Sequence, residues 1–181
     1  MTSPKSSTTR RFLRGALLAA VLPLAALAVA PTAQAAPGFT AEARALGLNA
    51  EQAASLQARA DDYLAKLGGR QVAANKIALS GADVYLTLPG ERTARTASAA
   101  CAYGHMCAYQ STYYYGDVID MYVCNDYGIP WVNNGSWINN QTTGTKAKFK
   151  DNAGNVGWIS PGAYTSDGNA PWSWVYSVKN C

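Results

Sequence analysis

Few residue types in this chain are equipped for chemistry. Among 181 residues there is one histidine, His105, and four cysteines, Cys101, Cys107, Cys124 and Cys181. Nucleophilic catalysis needs a nucleophile held against a base. The single imidazole falls inside the short stretch between Cys101 and Cys107, where it is expected to be exposed rather than oriented. Ser160 sits in Gly-Trp-Ile-Ser-Pro-Gly, with its glycines in the wrong places for a nucleophile elbow. Asp117, Asp120, Asp126, Asp151 and Asp167 are scattered over turns and strand ends. A glycosidase needs two carboxyl groups facing each other at a defined separation, which sequence spacing alone does not decide. The residues point away from an enzyme.

Metal chemistry is equally thin. Zinc sites favour closely paired cysteines with histidine, and this chain has no Cys-x-x-Cys and only His105. Asn133-Asn134 and Asn139-Asn140 offer amide oxygens, weaker calcium ligands than carboxylates. They are read as turn formers. No metal and no cofactor is expected.

Four cysteines in one compact region read as two disulfides if the chain is exported. Three pairings are possible; Cys101 and Cys107 are close enough for a local loop, which leaves Cys124 with Cys181. On the loop-entropy model the short bridge stabilises by about 2 kcal/mol and the long one by about 4 kcal/mol. Export itself is read from residues 1–35. Basic residues precede an apolar run from Ala16 to Ala30, and Ala33-Gln34-Ala35 supplies a small-x-small cleavage pattern. That is a secretory signal peptide, so the protein is expected to be extracellular and free of the membrane after its removal.

Fifteen Lys and Arg stand against eleven Asp and Glu, giving a formal charge of +4. Lys5, Arg10, Arg11 and Arg14 all lie in the first fourteen residues, and the remainder balances. A near-neutral mature protein has no electrostatic case for nucleic acid.

The positioning elements change character along the chain. Residues 36–90 form a small α+β segment that resembles a propeptide. Asn49 and Gln52 have capping-box spacing, and Leu56, Ala60, Tyr63, Leu64 and Leu67 recur on one helical face. Gly68-Gly69 ends the helix. A strand over 71–79 follows, then a half-buried one carrying Val84, Leu86 and Leu88. Residues 91–100 are small and polar with two arginines, a linker of the kind that proteases cut. Removal of the upstream segment after it has assisted folding is one reading; a permanent subdomain packed on the β region is the other.

Residues 101–181 are rich in Tyr, Trp, Asn and Gly. Period-two alternation marks strands over 117–123, at Lys146, Lys148 and Lys150 around Ala147 and Phe149, and from Trp172 to Val178. The lysine row reads as a solvated face that discourages edge pairing. Asn-Gly, Thr-Gly, Pro-Gly and Asp-Gly turns separate them, so the class is all-β, a sandwich.

Tyr109, Tyr114 and Gly116 stand in Tyr-Gln-Ser-Thr-Tyr-Tyr-Tyr-Gly. This resembles the aromatic corner of βγ-crystallin Greek-key motifs, in which a glycine with positive φ permits a folded hairpin covered by a ring. Ser136 would be the hairpin's partner, and Phe149 to Gly154 a second, weaker corner. With Cys-x-x-Gly-x-x-Cys at 101–107 and Trp-Ile-Asn-Asn-Gln-Thr-Thr-Gly-Thr at 137–145, residues 101–181 resemble the secreted actinobacterial metalloproteinase-inhibitor family, peptidase-inhibitor family thirty-six. The resemblance implies a βγ-crystallin-like Greek-key sandwich with two disulfides, monomeric, with an extracellular protease as partner.

The founding inhibitor of that family presents a short disulfide-closed loop to the enzyme in a substrate-like way. This chain departs there, because its second bridge would span Cys124 to Cys181 and enclose most of the domain, so no reactive bond carries over. The candidate here is Pro161, Gly162, Ala163, Tyr164 and Thr165, within a longer stretch to Pro171, with Tyr164 as specificity anchor; the Cys101 to Cys107 loop is a second candidate. The alternative function is a carbohydrate-binding or cell-wall-binding module using exposed tyrosines and the five tryptophans.

Overall fold

The computed structural model describes residues 37–91 and 101–181. The expected signal peptide and most of the expected linker lie outside the described residues. Two helices come first, α1 (Pro37–Ala45) and α2 (Ala50–Leu67). The Asn49 side chain accepts from the Gln52 N–H while the Gln52 side chain accepts from the Asn49 N–H, so two orphan donors of α2 are satisfied reciprocally. Ala53, Leu56, Ala60 and Tyr63 are the buried stripe of the helix.

Three strands follow: β1 (Arg70–Ala73), β2 (Lys76–Ala78) and β3 (Ala82–Tyr85). The single strand expected over 71–79 is instead a hairpin, with Ala74 and Asn75 at its turn. After residue 100 come β4 (His105–Tyr109), β5 (Val118–Met121), β6 (Asp126–Gly128), β7 (Asn134–Asn140), β8 (Lys148–Lys150), β9 (Val156–Ile159), β10 (Thr165–Pro171) and β11 (Ser177–Lys179). All ladders are antiparallel.

These strands make two sheets, ordered β1-β2-β3-β5-β4-β7-β10 and β6-β11-β8-β9. The order β5-β4-β7-β10 recurs as β9-β8-β11-β6, each strand replaced by one four places away in the chain. The β region is therefore two interleaved copies of one strand plan. The upstream segment continues the larger sheet: β3 pairs with β5 from Ala82↔Met121 to Tyr85↔Val118.

Alternation along the strands sorts the side chains. Ile119 and Met121 of β5, Met106 and Ala108 of β4, and Trp137 of β7 belong to the buried core that also contains Phe149 and Val178 from the smaller sheet. Leu56, Ala60 and Tyr63 of α2 join the same cluster with Ile77, Val84 and Leu86. The outer face carries a second cluster of Cys101, Cys107, Tyr109, Val118 and Ile138.

Two further expectations about strands need correction. Trp172 to Val178 is not one strand: Trp172–Trp174 is a 3-10 turn, and only Ser177–Lys179 is extended. Trp172 is 1% exposed and donates its indole N–H to the Tyr109 carbonyl at 2.8 Å. Gly135 has no side chain at the spot the indole fills, so tertiary insertion overrides alternation there. The lysine row, secondly, guards no edge, because β8 lies inside its sheet between β11 and β9. Lys148 donates to the Cys181 carbonyl at 2.7 Å and Lys150 pairs with Asp126 at 2.9 Å.

Both disulfides are formed, Cys101–Cys107 and Cys124–Cys181. They are consistent with an oxidising, extracellular location. No helix among the described residues is long and apolar enough to cross a membrane.

Candidate functional site

The loop 161–165 joins β9 of the smaller sheet to β10 of the larger one, and both ends are fixed. Ser160, 1% exposed, donates its backbone N–H to the Ala147 carbonyl, and its hydroxyl accepts from the Ala147 N–H, each at 2.8 Å. At the other end Thr165 pairs with Asn139 across β10 and β7, and its hydroxyl donates to the Gly162 carbonyl at 2.6 Å. Gly162 is buried with φ of 121°, a backbone value that suits glycine, and lies against Gly144. Pro161 is exposed, Ala163 half-buried, and Tyr164 stands 65% exposed.

The residues of the expected aromatic corner lie close together. Tyr109 and Tyr114 meet edge to face with ring centroids 5.6 Å apart, and Gly116 has φ of 82°. Ser136 closes the hairpin: its hydroxyl accepts from the Tyr114 N–H at 2.8 Å and donates to the Ser111 carbonyl at 2.7 Å. Burial pushes the Tyr109 phenol up to about 12, with the charge of Asp120 adding to the effect. At the second corner, Gly154 has φ of 81° and Asp151 accepts backbone N–H groups from Ala153 and Asn155.

His105 is not a free loop residue. It opens β4, is 27% exposed, and its Nδ1 lies 2.7 Å from the Asp120 carboxylate. The Cys101 to Cys107 loop is correspondingly tied down, with Cys101 and Cys107 buried. Burial raises the Asp120 pKa above the usual carboxylate range, and the hydrogen bond with His105 opposes that shift. The asparagines read as turn formers are mostly strand residues instead: Asn134, Asn139 and Asn140 belong to β7, with Asn133 just before it. Asn139 is fully buried and donates to the Thr145 carbonyl, while Asn134 bonds Asn169.

Two features were not legible in the sequence. One is the socket around Asp117, a residue 1% exposed. Its carboxylate receives Arg59, the Tyr63 hydroxyl at 2.9 Å and the Thr87 N–H at 2.7 Å, all from the upstream segment. Trp131 donates in turn to the Tyr63 oxygen at 2.8 Å. Burial, and then the charge of Asp117, hold the Tyr63 phenol far above its ordinary range.

The other is a ring cluster beneath an open cleft. Trp158 of β9 meets Phe149 at 5.0 Å and Trp137 at 5.5 Å, and Phe149 stacks on Trp172 at 6.0 Å, centroid to centroid. Trp158 remains 40% exposed. Tryptophan count alone signalled the aromatic surplus but gave no hint that β7, β8 and β9 would pool it.

The chain matches no family model, no curated protein and no solved structure.

Proposed function

We propose that this protein is a secreted inhibitor of extracellular proteases, metalloproteases first among them. It would work by offering the loop 161–165 to an active-site cleft. The observation that carries the reading is Tyr164, a large side chain 65% exposed on a loop whose ends are locked by buried Ser160 and by the Thr165 to Asn139 pairing. A loop ordered before binding loses little conformational entropy on docking, so more of its contact energy appears as affinity. In this reading the loop is held in place rather than processed, and we assign the protein itself no catalytic step.

The scaffold we assign is a βγ-crystallin-like pair of Greek keys. The repeated strand order and the hairpin at Tyr114, Gly116 and Ser136 support that assignment. The signal-like segment at 1–35 and the two disulfides support secretion.

The test is titration of the folded, disulfide-bonded chain from Ala36 against a thermolysin-like metalloprotease and a subtilisin-like serine protease. Stoichiometric inhibition that Tyr164→Ala weakens at least about tenfold, a loss of roughly 1.4 kcal/mol, is the expected result. Unchanged inhibition by Tyr164→Ala removes this loop from the mechanism. Absence of inhibition toward either protease class removes the function.

A further inference from the structure

The core of the β region does not close at one side. Between β9 and β10, the outermost strands of their sheets, a cleft of about 410 Å³ opens over the ring cluster. That is an ordinary size for a small-ligand site. Trp137, Phe149 and Trp172, none more than 3% exposed, belong to its buried lining. Trp158 and the half-buried Trp174 also line it and remain open to solvent.

One lining residue is charged, Asp167. It stands opposite Trp137 in the β10 to β7 register, which puts its carboxylate on the ring side of the sheet. One of its oxygens accepts the Asn169 N–H at 2.8 Å. Asp167 makes no ion pair with any described residue.

A carboxylate with no ion pair among the described residues, in a cleft with the partly exposed indole of Trp158, favours a cation, because a negative ring face and a negative oxygen attract the same charge. Among cations a guanidinium fits best. It is planar, stacks on aromatic faces, and can engage both oxygens of a carboxylate.

We propose that the cleft between β9 and β10 binds an arginine side chain, its guanidinium on Asp167 and against Trp158. The inference is independent of the inhibitory loop and stands or falls separately from it.

The experiment titrates the full folded chain with Nα-acetyl-arginine amide, following the Trp158 indole N–H resonance and tryptophan fluorescence. Parallel titrations use the neutral isostere Nα-acetyl-citrulline amide, tetramethylammonium and an N-acetylglucosamine oligomer. A saturable response to the arginine derivative is expected, weaker by about tenfold or more for citrulline and for the Asp167→Asn chain. Asp167 is exposed, and asparagine keeps an oxygen for the Asn169 N–H, so the variant preserves the fold. Equal responses to arginine and citrulline, or an unchanged response in Asp167→Asn, overturn the proposal. So does no response to the arginine derivative at all. Binding of tetramethylammonium or the sugar without arginine overturns it in favour of that other ligand.

Discussion

Tyr63 of α2 donates its phenolic proton to Asp117 at 2.9 Å, 54 residues further along the chain, and the bond is buried. Arg59 and the Thr87 N–H complete the socket. The carboxylate that follows the glycine of the aromatic corner is thus neutralised entirely from the upstream segment. The two parts of the described chain share a charge balance as well as a sheet.

Removing one partner from this socket leaves a charge with too little compensation, which is far costlier than removing both. Arg59→Met is expected to destabilise the protein by about 3 kcal/mol, and adding Asp117→Asn should give part of that back. Urea unfolding of the two single variants and the double variant measures the coupling. Strictly additive losses would mean that the pair contributes no specific stability.

The shared sheet also fixes what processing can do. A cut after Arg95, in the segment expected to be a linker, should leave residues 37–91 bound to residues 101–181, because β3 remains hydrogen-bonded to β5 and α2 remains in the common core. Gel filtration of the nicked protein is expected to show one peak without denaturant and two in urea. Separation under native conditions would favour a propeptide released on maturation.

Alkaline stability should be limited by the buried phenols. The Tyr109 hydroxyl rises from an ordinary 10.0 to about 12 in the fold, so between those values the unfolded chain loses a proton that the native one keeps. Native protein then binds more protons, and stability falls as pH rises through this window. Thermal unfolding from pH 9 to pH 12 should show a decline that Tyr109→Phe makes shallower. An identical decline in the variant would assign the effect to Tyr63, which is shifted in the same direction.

Two glycines separate backbone strain from steric exclusion. A Cβ at Gly116 meets Gln110 and Ser111 atoms at 3.1 Å, and φ of 82° disfavours any side chain, so Gly116→Ala should cost about 1 to 2 kcal/mol. At Gly135 a Cβ would overlap the Trp172 indole and the Tyr109 carbonyl. Gly135→Ala is expected to cost about 3 kcal/mol and to blue-shift tryptophan emission less than the native fold does. The reverse ranking in chemical denaturation would contradict this packing.

What could be read in advance was local. Asn49 and Gln52 announce a helix start because their bonds span three residues. Ile119 and Met121 announce a buried strand face because alternation needs no knowledge of the partner. The β1 and β2 hairpin was missed because Ala74 and Asn75 turn without Gly or Pro. His105 was misjudged because its partner Asp120 is fifteen residues away, on the neighbouring strand. The cleft was invisible for a stronger reason. Trp137, Trp158 and Asp167 lie on three strands of two sheets, and only the sheet order brings them together.

The bridge between Cys124 and Cys181, 57 residues apart, has a mechanical consequence. Tension applied at Cys181 passes across the sulfur atoms to Cys124 and never reaches the backbone between them. Strands β6 to β11 sit inside that covalent bypass and are shielded from stretching. The load arrives instead at β5, where extension must peel it from β3 and β4 in turn. Under tension between the upstream segment and Cys181, only chain before Cys124 and outside the Cys101–Cys107 bridge would lengthen, and reduction of the Cys124–Cys181 bridge would expose strands β6 to β11 to the load.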